Sequence, residues 1–412
     1  MSRNRSRSRR TLGVLAVLPL LLALLAVTPT ADARAGSCAG FANHTGVTSK
    51  VIRIGNSVDR TGPVPGLFLS ARQAVRAYVA YFNSQHRICG RKLAVDLFDS
   101  KTDAAGDKAA YQAMCVKDFA AVGSMSAFDD GGASTAQGCG LPDLRSASTT
   151  AARNTCRTCF GVDASRPGEA ANSVPDYFVA QRPAAAAKAA MIALNVPSAV
   201  ARATTLQKAE QQRGFNFLYS ARIDVADFNY GPYVTAMKSK DVQLVQFIGA
   251  YQQAARLAHA MQSGGFHPAV FMVEDSAYDP GYVAGAGDSG EGTIVPVDFL
   301  PLTANQAQLK LYRTWLAKVA PGAAPSAAGL YAWSAAKLFT TQALLLGGRL
   351  SRAHLVSRLR SVSGWTGGGL HAPQAVGAKR LSPCARLLQL HDGRWISIGG
   401  TAYRCSGLTT VG

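Results

Sequence analysis

Few residue sets in this sequence have a spacing that could do chemistry. Gly287, Asp288, Ser289 and Gly290 read GDSG, a setting in which serine can be a nucleophile. Such a serine needs a histidine base and a buried aspartate brought to it by the fold, and none of the seven histidines sits in a matching motif. Gly285, Gly287 and Gly290 also satisfy GxGxxG, but they precede the apolar run Thr293 to Val297 instead of following a strand. A surface turn is therefore expected there. Cys156 and Cys159 form the only CxxC; with no second pair at metal-site spacing and no thioredoxin-like context, a structural bridge is the reading. A Walker loop, an HExxH helix and a clustered metal-ligand set are all missing. No catalytic residue, cofactor or metal is expected.

The beginning of the chain sets its compartment. Arg3, Arg5, Arg7, Arg9 and Arg10 precede the apolar run Leu12 to Val27, and small-x-small sites end at Ala33 and Ala35. Residues 1–35 thus read as a signal peptide, with the general secretory route favoured over a twin-arginine one. The run is too short for a spanning helix, and no later segment is long and apolar enough to serve as one. The mature protein is expected outside the cytoplasm, extracellular or in the envelope or periplasm. A lipid on Cys38, which follows Ala35, Gly36 and Ser37, is the lesser alternative because that cysteine lies well beyond the apolar run.

Eight cysteines in an exported chain read as disulfides. One pair can be argued locally. Cys384 and Cys405 flank two apolar runs joined by Asp392 and Gly393, a hairpin signal that brings the flanks together. The net charge is +19, and the leader's six arginines and one aspartate account for five of those charges, leaving +14. The remaining basic residues are scattered, so no nucleic-acid partner is expected, and attraction to acidic envelope polymers is the most the charge implies.

Most of the mature chain alternates strand and helix, which argues for parallel sheets covered on both faces. Val51 to Ile54 is a strand. After a loop through Asp59 and Gly62, Ala71, Ala74, Val75, Tyr78, Val79 and Phe82 form one face of a helix. Further strands are expected at Leu93–Leu97, Phe119–Val122 and Leu141–Leu144, with a helix at Ala104–Lys117 capped by Asp103. The cycle restarts with strands at Ala189–Leu194, Phe217–Ala221, Leu244–Ile248 and Ala269–Val273, the first three each followed by a helix. Two such cycles imply two lobes, and Leu309–Val319, Leu330–Leu346 and Ser351–Ser361 add helices. Ligands of open parallel sheets bind beyond the carboxyl ends of the strands.

The stretch IRIGNSVDRTGPVPG, its amphipathic helix and the following CGRKLAVDLFDSKTD resemble the opening of the solute-binding proteins that serve ABC importers of branched-chain amino acids and related small polar molecules. The resemblance covers nearly all of the mature chain. It implies the type I periplasmic binding protein fold, a Venus flytrap of two α/β lobes with three crossings. Lobe 1 would be residues 36–162 plus 301–370, and lobe 2 residues 163–300 plus 371–412. It also implies a small polar solute, partnership with ABC permease subunits, a monomer, and no enzymatic activity.

Family ligands are held by hydroxyls and backbone NH groups of the loops after the third and fourth strands, here VGSMSAFDD (Ser124, Ser126, Phe128) and RSASTTAA (Ser148, Thr149). Short hydroxyl side chains at strand ends can hold an anion without a buried cation. The second lobe would supply Tyr251 at the cleft lip and Glu274 for a ligand ammonium, with Asp275 beside it. The sequence departs from the family where a tyrosine falls on Ala250 and a serine near Ala127, which leaves amide or urea-like solutes beside amino acids. A ligand-sensing receptor component of the same fold and an exported hydrolase are the competing classes, the latter lacking a nucleophile and base.

Overall fold

The computed structural model describes residues 36–412, so the expected leader lies outside the described residues. Two sheets organise the chain. The first contains β1 (Val51–Val58), β2 (Lys92–Asp99), β3 (Ala120–Val122), β4 (Asp143–Ser148) and β5 (Cys159–Ala164), ordered β2-β1-β3-β4-β5 and parallel throughout. A short strand β6 (Glu169–Ala171) follows. The second sheet contains β7 (Ala189–Leu194), β8 (Phe217–Ile223), β9 (Leu244–Ile248), β10 (Val270–Val273), β11 (Ile294–Val297), β12 (Cys384–His391) and β13 (Arg394–Ile398). Its order is β13-β12-β11-β10-β9-β7-β8, with only β12 running against the others, antiparallel to both β11 and β13.

The apolar face expected on the first helix is real: helix Leu69–Gln85 buries Ala71, Ala74, Val75, Tyr78 and Phe82. It packs on helix Ala327–Leu346, where Tyr78 meets Trp333 edge-on at 4.9 Å between ring centroids. Asp103 caps helix Ala104–Lys117 by accepting a bond from the Ala105 NH, 2.6 Å away. Such a cap satisfies one of the NH groups a helix start leaves without a partner. The middle strands of the second sheet, β7 and β9, are buried along their whole length and have no polar alternation, as a sheet covered on both faces requires.

Three passages join the lobes. The chain leaves the first sheet after β5 and enters the second at β7. It leaves again after β11 for helices Ala307–Val319 and Ala327–Leu346, which pack on helix Leu69–Gln85, and returns to β12. The second and third passages run antiparallel: the Leu300 NH donates to the Leu370 carbonyl at 3.0 Å and the Ala372 NH to the Asp298 carbonyl at 2.6 Å. Paired narrow connectors of this kind let two rigid bodies rotate while few dihedrals change.

All eight cysteines are paired, as Cys38–Cys89, Cys115–Cys139, Cys156–Cys159 and Cys384–Cys405. The local argument for the last pair holds. Asp392 and Gly393, both at positive φ, turn β12 into β13, and Cys384 lies opposite Cys405 of β14 (Arg404–Cys405). Strand β15 (Leu408–Thr410) then pairs with β6. The alternative of a lipid on Cys38 is overturned, because a sulfur bonded to Cys89 cannot also form a thioether. Peptide mapping without reduction should recover these four linked pairs. Cys38→Ser should cost about 2–4 kcal/mol of stability, since it releases a long loop. A Cys38 peptide of lipidated mass would contradict the pairing.

Candidate functional site

The lobe 1 wall of the cleft is built on one carboxylate. Asp59 follows β1 and is fully buried. It accepts bonds from Ser100 Oγ (2.6 Å), the Thr102 NH (3.2 Å), Ser126 Oγ (3.0 Å) and the Ala127 NH (2.8 Å). The loops after β1, β2 and β3 are thereby tied to a single point. Burial pushes the Asp59 pKa up, against the pull of these donors. Gly123, at φ +63, starts the third loop, where a Cβ would lie 2.4 Å from Val75 Cγ2; only glycine meets both demands.

This scaffold decides where the expected lobe 1 residues lie. Ser126 lines the cleft, but its hydroxyl donates to Asp59 and accepts from the Phe128 NH at 3.1 Å. Ser124 is buried below the loop, with its Oγ accepting from the Ser57 NH at 3.0 Å. Ser148 is buried at the end of β4, and Phe128 packs against the apolar cluster that includes Ala127, Leu194 and Val196. Thr149 lines the cleft, and its backbone NH donates to Asp129 Oδ2 at 3.0 Å. Beneath these loops, Arg153 bridges Asp107 (2.8 Å) and Asp143 (2.7 Å), all with buried side chains. Tyr111 donates to Asp143 at 2.9 Å and lies under the Arg153 guanidinium.

On the lobe 2 wall, Tyr251 opens helix Tyr251–Ser263, and Glu274 and Asp275 follow β10; all three line the cleft. Glu274 is already paired, because Arg202 of helix Pro197–Gln212 donates to it at 2.5 Å and to Ser165 Oγ at 3.0 Å. Asp163 at the end of β5 and Asp298 after β11 complete the surroundings. Burial works against the charge of Arg202, yet Glu274, Asp163 and Asp275 outweigh it and hold its pKa above the arginine norm. Burial also raises Asp275 to about 7, with Asp163 and Glu274 adding repulsion. Glu210, farther along the same helix, rises to about 8 through burial.

The walls enclose about 260 Å³, floored by apolar side chains including Met125, Leu194, Ile248 and Tyr331. Across the opening, Ser198 Oγ donates to the Ala127 carbonyl at 2.9 Å, so the lobes already touch. A cavity with an apolar body and a few placed polar groups suits a small organic solute. Sequence reasoning missed Asp59, Asp129, Asp163, Arg202, Glu210 and Asp298. One signal was there to read: Arg202 and Glu210 interrupt the face made by Ala199, Ala203, Leu206 and Ala209, where a charge needs a partner.

The GDSG stretch does meet a histidine. Ser289 Oγ lies 2.8 Å from His259 Nδ1, while His259 Nε2 lies 2.7 Å from the Gly285 carbonyl and Gln262 Oε1 accepts from Ser289. His259 is exposed and contacts a carbonyl where a triad would place an aspartate, so the pair fastens the turn Gly287–Gly290 to helix Tyr251–Ser263. The GxGxxG spacing falls on this same turn, as expected of a surface feature.

The family model described as "Periplasmic binding protein" matches residues 51–394. No curated protein matches the sequence. Among solved structures, a fatty acid ABC transporter substrate-binding protein from Thermomonospora curvata is 19% identical, with a TM-score of 0.75 over 87% of this chain and 94% of that one. The branched-chain amino acid transporter substrate binding protein LivJ from Streptococcus pneumoniae, in complex with isoleucine, is 14% identical (TM-score 0.71, 88% and 99% covered). A solute binding protein from R. palustris in complex with 4-hydroxybenzoate is 17% identical (TM-score 0.70, 84% and 95% covered).

Three carboxyls held above their usual range, two in the cleft and one outside it, give the protein a pH signature. Glu210, Asp275 and Asp118, the last raised to about 8 by burial and by Asp96, keep protons that the unfolded chain has lost. Their stabilising contribution is present at low pH and disappears as pH rises through the folded values. His371, lowered to about 4 by burial, opposes this only up to its unfolded value of 6.5. Lys379, lowered to about 8 by burial, opposes it only near and above that pH. The ligand-free protein should therefore melt progressively lower from about pH 6.5 to 7.5, and Glu210→Gln should flatten the trend. A melting temperature that rises across this window would contradict the assignment.

Proposed function

Because the chain belongs to the periplasmic binding protein family, we propose that it captures a small polar solute in the interlobe cleft and delivers it to the membrane subunits of an ABC importer. The observation that carries this reading is the enclosed cavity between two α/β lobes, with polar groups from both walls and the Ser198–Ala127 contact across its mouth. An amino acid or amide-like compound is the class proposed. Thr149 and Ser126 would contribute from lobe 1, and Tyr251 and Asp275 from lobe 2. Ser124, Ser148 and Phe128 would support the loops from behind, and Glu274 would act together with Arg202.

The lobes are assigned as residues 36–162 with 301–370, and 163–300 with 371–412, following export and removal of residues 1–35. The protein would work as a monomer outside the cytoplasm. Among the described residues, no helix is long and apolar enough to cross a membrane.

Mass spectrometry of small molecules released from gently purified, then denatured, protein identifies the solute. At a hundredfold excess over its dissociation constant, that solute should stabilise the fold by about 2.7 kcal/mol through mass action. It should also shrink the radius of gyration measured by small-angle scattering, because closure around the ligand brings the lobes together. Saturating binding with an unchanged radius of gyration would contradict closure.

A further inference from the structure

We propose that the cleft selects a solute with net positive charge, an ammonium or guanidinium carried on an apolar body, over carboxylates and neutral zwitterions. This rests on the solute-binding reading above and names the chemical class of its ligand. Among the described residues, seven carboxyl groups line the cavity against one cation, Arg202; burial raises Glu210 to about 8 and Asp275 to about 7, so protons neutralise part of this excess near neutral pH and the rest faces the ligand as charge. The whole sequence has the opposite balance, 43 Lys and Arg to 24 Asp and Glu. The acidity is thus local to the cleft and is not the background of the chain.

Arg202 is already partly committed as a donor. Its guanidinium is engaged by Glu274 at 2.5 Å and Ser165 at 3.0 Å, with Asp163 and Asp275 also acting on it. An incoming carboxylate could reach only the guanidinium hydrogens that Glu274 and Ser165 leave open, and there it would face Glu274 and the neighbouring aspartates. Like charges at such range in a poorly solvated site repel strongly.

Two buried acceptors on opposite walls point independently to a donor-bearing ligand. Asp129, 3% exposed, lines the cavity and uses Oδ2 for the Thr149 NH, while its Oδ1 has no partner. Glu210, 1% exposed, receives the Gln246 amide at 3.3 Å through Oε1, while its Oε2 and Gln246 Oε1 have no partner; because burial lets Glu210 hold a proton near neutral pH, the Gln246 carbonyl oxygen is the acceptor this pair leaves open, and an incoming cation would also displace that proton. Buried acceptors without donors are costly, and native structures seldom keep them unless something supplies the hydrogens. An ammonium has three donors and no acceptor, a guanidinium five, and either meets both needs, the charge and the missing hydrogens. Leu194, Val196, Leu206 and Met272 line the same cavity and would cover an apolar body.

The test is calorimetric titration of the mature chain with four probes of six-carbon skeleton: hexylamine, hexane-1,6-diamine, leucine and hexanoate. At least one amine should bind ten or more times tighter than leucine and hexanoate. Asp129→Asn and Glu210→Gln, each checked for an intact melting transition, should weaken the better amine at least tenfold, whereas the exposed Asp288→Asn should not. Leucine or hexanoate binding as tightly as the amines would overturn the proposal, as would unchanged amine binding in both buried-acceptor variants. If the solute released from the protein is neutral or anionic yet still closes the lobes in scattering, the cationic class falls and the receptor reading stands. If no released solute or probe binds or closes the lobes, both fall.

Discussion

Strands β5, β10 and β11 deliver Asp163, Glu274 with Asp275, and Asp298 to one region of the cleft, and a single guanidinium allows them to share it. Without Arg202 these groups would repel one another in a site where water screens poorly, and protonation would be their only relief. The ion pair with Glu274 spans 72 residues of sequence, linking helix Pro197–Gln212 to the end of β10. Its second contact, Ser165, lies just after β5 on the passage between the lobes. The charge balance of the cleft is therefore mechanically connected to the region where the chain crosses over.

Lobe 1 solves the complementary problem with a buried anion. Asp59 gathers donors from the loops after β2 and β3, and the Arg153 network beneath fixes β4 and the helix that carries Asp107. Buried polar groups tied together in this way hold one arrangement of loops. The two walls are thus stiff, and the freedom left to the molecule is concentrated in the paired passages at Asp298–Leu300 and Leu370–Ala372. A rigid-body closure around a small solute is the motion such a distribution of stiffness favours.

The fold was legible because its determinants are local. The apolar runs of Ala189–Leu194 and Leu244–Ile248 announce strands covered on both faces, and Asp103 announces the helix it caps. Strand β5 was not read, since Gly161 breaks its apolar run. The glycine is there for space, as a Cβ would come 2.6 Å from Ser148 Cβ. The site was legible only to the ends of strands. Sequence places Ser126, Thr149 and Glu274 near the cleft, but nothing in a linear chain reveals that the Ser126 hydroxyl is spent on Asp59 or that Glu274 has met Arg202. Those facts depend on pairs far apart in sequence and could only be anticipated by noticing charges on an otherwise apolar helix face.

The central claim is that ligand binding occurs between the lobes, at the loops organised by Asp59 and Arg202. Hydrogen–deuterium exchange read by mass spectrometry, with and without a solute that raises the melting temperature, tests it most directly. Exchange should slow in the loops after β1, β3 and β10 and in the first turns of helix Pro197–Gln212, on both lobes together. Slowing confined to one lobe, or appearing instead at the outer β12–β13 hairpin, would contradict the account.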